Sequence, residues 1–485
     1  MRRRYFGLLL FAAMAALCVA CQAADDNQKA LERVDALYRA GDYQGAKAAL
    51  ADVAKALPKD ATVLQWQGAV ALALDDLPGA LDFLKAAAAA APDDPTVHNN
   101  LGTAYLRSDL VQLAGAEFEK AIALAPELFE AHYNLADLAA RNGEKDRAKS
   151  EYEAALKIRA NDFGALVGYA RVLRLLGDTK SAVVQYELAR TAQPKNVALL
   201  MTIGSLYASL DNQTKAAELY AAVVVLEPGN AGALMQLGVA LYGEGKLEEA
   251  GRKFSAVTEA DKGNVTAWLN LAETRAKLGR VDEAVAACRK AAEADPKSAV
   301  PYERLGAYEV GRKQWKAAAE AFVAAAKTDP GGRTARANAA QCFTEAGLGA
   351  EALEQWEAQA AQFPEDVEAH RTLGHLYFAA DRRDEALREY LYAISLDPHG
   401  AAVRNNVGLI YLGRDNASSA MVHFRAALLD DPKCAEAFNN LGVALEKQGQ
   451  LEEARVQYAK ALEAKPDFAP AKRNLERLAP KAAVE

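Results

Sequence analysis

Seven side chains ending in a primary amide recur at one spacing: Asn100, Asn134, Gln236, Asn270, Asn338, Asn406 and Asn440 lie 34 residues apart or a multiple of 34 apart. An amide donates and accepts at once, which the backbone of an extended peptide requires of a surface that reads it. One residue earlier in the same register stand Val167, Met201, Met235 and Leu269 in four successive units, with Asn99, Asn405 and Asn439 in outer ones. Methionine repacks readily, so this strip suits apolar anchors of varied shape, although ordinary packing between helices explains it equally well. His98, His132 and His370 form a third column, and His375 follows His370 by five residues. A His98/His132 pair on neighbouring helices is a conceivable metal site. The spacing places no carboxylate or third ligand with it, so helix packing is the expectation and no cofactor or metal is called for. Cys288, Cys342 and Cys434 are too far apart in register for a disulfide. Cys288 takes a core aromatic position, and Cys434 falls in a turn where it could be exposed. Nucleotide loops, zinc-protease helices, EF-hands and nucleophile elbows are all missing, so the chain is not expected to be an enzyme.

The elements that carry these columns show most clearly in the stretch Ala435–Phe468. Phe438, Leu441, Gly442 and Leu445 put three apolar side chains and one bare backbone on one face of a helix. Gly449 ends that helix. Leu451, Ala454, Tyr458 and Ala461 mark the inner face of a second, which Pro466 closes. Stepping back from Ala454 by 34 residues at a time lands on alanine at all thirteen positions, down to Ala46. The eighth position of each unit is Gly or Ala except at Val34, and the thirty-second is proline in eleven units, Ala160 and Lys262 being the exceptions. Small residues there imply paired helices in close approach, and proline punctuates one hairpin from the next.

This pattern resembles the tetratricopeptide repeat, a 34-residue unit of helix, turn and helix. The resemblance implies an all-α solenoid, a right-handed superhelix of about thirteen tandem hairpins whose first helices line a concave groove. In some superhelical members, asparagines at the place of Asn100, Asn134, Asn270, Asn338, Asn406 and Asn440 form a ladder along a bound peptide, and Gln236 would extend it. Met201 and Met235 would lie beside it. Partners are then expected to be proteins or peptides.

A 485-residue globular chain would split into several domains, but a solenoid is quasi-one-dimensional and grows one elongated body. The formal charge of −8 argues against nucleic acid or an anionic bilayer as the surface bound. Residues 1–20 read as an export signal: Arg2, Arg3 and Arg4, then an apolar run from Phe6 to Leu17 too short for a permanent span. Cys18-Val19-Ala20-Cys21 resembles a bacterial lipobox, with Cys18 where the family prefers leucine. That resemblance implies lipidation of Cys21, residues 21–26 as a tether, and Gln22 as an outer-membrane sorting signal facing the periplasm. Cleavage near Ala23 would give a soluble periplasmic product instead. Residues 27–468 hold the repeats and 469–485 a capping helix and tail, with Leu475 and Leu478 on one face and Lys472, Arg473 and Arg477 elsewhere. The function expected is a non-enzymatic envelope scaffold serving pilus, secretion or exopolysaccharide machinery. The rivals are a chaperone-like soluble binder and a carbohydrate or peptidoglycan binder, for which Trp66 is the one groove tryptophan.

Overall fold

A computed structural model describes residues 25–478, and among these the backbone forms 27 α-helices and no strand. The expected signal, Cys21 and residues 479–485 lie outside the described residues. Of the expected tether, Asp25 and Asp26 already belong to the opening helix, 25–39. Two compact units divide the chain, Met1–Ala240 and Leu241–Glu485. Each is an all-α stack of helical hairpins in which successive helices pack on one another, as the repeat pattern requires.

With each repeat counted from Asn27, Ala61, Pro95 and onward, first helices occupy positions 1–13, as in Ala61–Ala73, Pro95–Arg107 and Ala435–Lys447. Second helices occupy positions 17–30, as in Leu77–Ala90 and Leu451–Ala464. The alanines at position 20 are fully buried in all thirteen copies. Position 8 faces position 24 of the same hairpin: a Cβ added to Gly102 would lie 2.6 Å from the Phe118 ring, and one on Gly408 2.5 Å from Phe424. Glycine here is the consequence of a large ring opposite it. Where position 8 is Ala272, position 24 is the small Cys288, so in that hairpin volume is exchanged, whereas Ala170 and Ala340 share their repeats with Tyr186 and Trp356 at position 24.

The turn between paired helices is stereotyped. Position 15 has positive φ in every repeat: seven are glycines, such as Gly41 (79°) and Gly449 (79°), five are aspartates, such as Asp75 (61°), and one is Lys313 (58°). The Asp76 N–H bonds Ala71 O at 2.9 Å and the Asp75 N–H bonds Leu72 O at 3.1 Å, closing the last turn of the first helix. Between repeats, Asp60, Asp94, Asp162 and Asp366 accept hydrogen bonds from backbone amides in the first turn of the following helix. The two junctions without proline keep the same register, since Lys145–Ile158 and Leu247–Ala260 end where their counterparts do. The helix Ala469–Arg477 closes the second unit, with Leu475 and Leu478 packed against the cluster around Leu441 and Leu445.

Candidate first-helix binding face

The columns at positions 4, 5, 6 and 9 of the first helices turn out to be linked side chain to side chain. At position 4, His98 Nδ1 lies 2.6 Å from Glu117 Oε2 and its Nε2 2.9 Å from Pro92 O. His132 repeats this with Glu151 (2.6 Å) and Pro126 O (3.0 Å), and His370 with Glu389 (2.6 Å) and Pro364 O (3.1 Å). A carboxylate is therefore placed with each histidine, contrary to the spacing-based expectation. The Glu sits 19 residues on, across the hairpin. Both ring nitrogens are engaged inside the protein, and among the described residues no group of three metal-ligating side chains is assembled. Trp268, in the same column, donates its Nε1–H to Lys262 O at 3.0 Å, so position 4 is where the carbonyl at position 32 of the previous repeat is satisfied.

In the first unit, Asn134 Nδ2 donates to Asn99 Oδ1 at 2.9 Å, joining positions 6 and 5 of adjacent repeats. Asn100 is partly exposed, and Gln236 is exposed. Position 6 of repeat 5 is Gly168, because Tyr152 fills the space: a Cβ there would lie 2.4 Å from its ring. The Tyr152 ring faces Gly168 of the next repeat while position 8 of its own repeat carries the bulkier Ala136. Val167 and Met201 pack at the edge of the core around Leu199, Leu200 and Ile203, so part of the apolar strip is packing, and Met235 is partly exposed. Trp66 stands edge-on to Tyr38, with centroids 5.6 Å apart, and joins the first core cluster.

The second unit treats the same column differently at each repeat. Asn270 is partly exposed. Position 6 of repeat 9 is Arg304, whose Nη1 lies 2.5 Å from Glu273 Oε2. The Tyr242 and Tyr308 hydroxyls also donate to Glu273, at 3.1 and 3.4 Å. Burial and the Glu273 charge push the Tyr308 hydroxyl up to about 12. Asn338 is exposed and lines a slot of about 340 Å³. Asn406 Nδ2 donates to the Tyr390 hydroxyl (3.1 Å) and His375 Nδ1 (3.3 Å), while the Tyr390 O–H lies 2.8 Å from that same ring nitrogen. Burial holds His375 below the ordinary histidine range. Asn440 Nδ2 donates to Asn405 Oδ1 at 3.0 Å, and in the closing helix Asn474 Nδ2 donates to Asn439 Oδ1 at 3.0 Å. Several amides thus brace neighbouring first helices through one N–H. Of the thiols, Cys288 and Cys342 are buried and Cys434 is partly exposed, all unpaired. Burial pushes the Cys288 thiol up to about 12, which makes it an inert core residue.

Glu273, Arg304 and Tyr308 as one bonded set, and His375 with Tyr390 and Asn406 as another, escape a reading by column, since each set joins different positions of adjacent repeats. The break of the amide column at Arg304 was the signal available.

The profile described as Tetratricopeptide repeat matches residues 31–95, 99–163, 133–197, 201–264, 235–299 and 304–367, and a second profile of that description matches 435–468. The chain belongs to the tetratricopeptide repeat family. Among solved structures, it is similar to YrrB, described as a TPR protein with an unusual peptide-binding site. That likeness has 22% identity over 39% of this chain and 97% of that one, with a TM-score of 0.35. It is also similar to Naa15/Naa10 bound to HypK-THB, with 14% identity over 93% of this chain and 78% of that one and a TM-score of 0.36. Scores this low leave both as likenesses and nothing more. No curated protein sequence matches the chain at a significant level.

Proposed function

We propose that this chain is a non-enzymatic protein-binding scaffold of the bacterial cell envelope, tethered through a lipid on Cys21. It holds partner proteins or extended peptides along its first-helix face and supports assembly of an envelope machine. The observation that carries the reading is the repeat kept thirteen times with its amide column on the first helices, whose amide oxygens, and the N–H groups not spent on neighbouring side chains, suit a peptide backbone. Repeats 6 and 7 add Met201 and Met235 beside Thr202 and Gln236, with no charged residue at positions 2, 5, 6 or 9. Burying this surface under a ligand desolvates no charge. Chemistry, on this reading, belongs to the partner.

A photo-crosslinking residue at Met235, with a control at exposed Glu249 on a second helix, tests the face in living cells. One defined protein captured from Met235 alone supports the reading, and equal capture at both sites overturns it. Fractionation of Cys21→Ser tests the anchor: release from membranes is expected, and an unchanged distribution favours the soluble periplasmic form.

A further inference from the structure

Within the second unit, a slot opens between the first helices of repeats 9 and 10. Buried Phe322 and Cys342 and partly buried Trp315 and Val310 line it, and exposed Asn338, Gln341 and Glu345 stand at its mouth. Phe322 is 5% exposed whereas the three mouth residues are exposed, so the site is apolar below and polar above. Its volume of about 340 Å³ accommodates one long side chain.

Glu345 is out of keeping with its column. At position 13 of repeats 3 and 13, Arg107 Nη2 reaches Asp75 Oδ1 in the preceding turn at 2.6 Å, and Lys447 Nζ reaches Asp415 Oδ1 at 2.5 Å. At this junction both signs are exchanged, Glu345 standing opposite Lys313 in register, and among the described residues no ion pair within 4.0 Å joins them. The Glu345 carboxylate accepts a hydrogen bond from its neighbour Gln341, Nε2 to Oε1 at 3.2 Å.

We propose, building on the peptide-binding reading above, that this slot takes the side chain of a lysine or arginine from the partner polypeptide. The methylene stem would lie on the Phe322 and Trp315 rings and the cationic head would meet the Glu345 carboxylate, with the amide oxygens of Asn338 and Gln341 as further acceptors. The protein already pairs cations with rings in this way: the Arg383 guanidinium lies 4.0 Å from the Phe378 ring centre, and that of Arg159 4.3 Å from Phe129. An aliphatic anchor would fill the depth and leave the carboxylate unanswered, and an acidic one would be repelled. The negative net charge of the chain draws a basic segment in. Lys313 is the internal competitor, but it is exposed, and an exposed pair holds weakly against a ligand's cation.

The test is selection of a random phage-displayed peptide library on the full chain, followed by titration of selected peptides against wild type, Glu345→Gln and Gln341→Trp. The last variant plugs the mouth from an exposed position. Selected peptides are expected to share a Lys or Arg whose replacement by norleucine weakens binding about tenfold or more, with a similar loss in Glu345→Gln and in the plugged variant. Selection on Glu345→Lys should turn toward acidic peptides. Peptides that bind wild type and Glu345→Gln alike, or that carry no required basic residue, overturn this inference while leaving peptide binding intact. Failure to select any peptide overturns both.

Discussion

Gly374→Ala puts the packing argument at its most exposed. The added Cβ would lie 2.4 Å from Cδ1 and Cε1 of Tyr390, more than 1 Å inside an ordinary carbon contact. Tyr390 is fully buried, and its hydroxyl is held by His375 and Asn406, so the ring cannot swing aside without breaking those bonds. Overpacking of this kind costs about 1–3 kcal/mol. Loss of the Tyr390 hydrogen bonds adds about 1 kcal/mol, and the better helix propensity of alanine returns about 1 kcal/mol. The expected balance is a local destabilisation of about 2 kcal/mol. Long repeat arrays do not unfold as one cooperative step, so the readout is hydrogen exchange by mass spectrometry, repeat by repeat. Protection should fall in repeats 10 to 12 and stay level in repeats 2 to 5. Gly115→Ala is the matched control. Its Cβ would meet Leu138 Cδ2 at 3.6 Å, an ordinary contact, so this change within a helix should stabilise by up to about 1 kcal/mol. If Gly374→Ala were as protected as wild type, or if loss spread evenly through both units, the close-approach and nearest-neighbour reasoning would be wrong.

Two further outcomes follow from the same geometry. Burial lowers the titration of both His375 and His423, the second also through Arg404, so each binds fewer protons folded than unfolded. Their stabilisation is therefore complete above the ordinary histidine value of 6.5 and is lost as pH falls through the lowered folded values. Thermal melts should lose more stability between pH 7.5 and about 5 in wild type than in a His375→Gln, His423→Gln double variant, and equal losses would remove these histidines from the explanation. Lys313→Gly should stabilise repeat 9 by roughly 1 kcal/mol, because Lys313 is held at φ 58° where a side chain is strained. Unchanged or reduced protection there would refute that.

The fold was legible because periodicity is a property of the chain alone. Ala46 through Ala454 stand in all thirteen repeats, and the small residues at position 8 and the seven turn glycines recur at their own places often enough that chance columns are averaged away. Less was legible in the turns. Gly449 marked a helix end, but Asp75, Asp109 and Lys313 take the same left-handed turn position without glycine's signature, since closure of the hairpin imposes it.

The candidate face shows the division most clearly. Sequence register by itself determined that Asn100, Asn134, Asn338, Asn406 and Asn440 share one helix face, because a strict 34-residue period must return each to the same place. It could not determine what each amide touches. His98 meets Glu117 only because the second helix folds back across the first, and Asn134 meets Asn99 only because the next repeat stacks at a particular rotation. Arg304 braces Glu273 while Glu345, at an adjacent junction, meets its neighbour Gln341 beside an apolar slot. Contacts such as these depend on distances of a few tenths of an ångström between separate helices. Tertiary packing sets those distances; the one-dimensional repeat does not encode them.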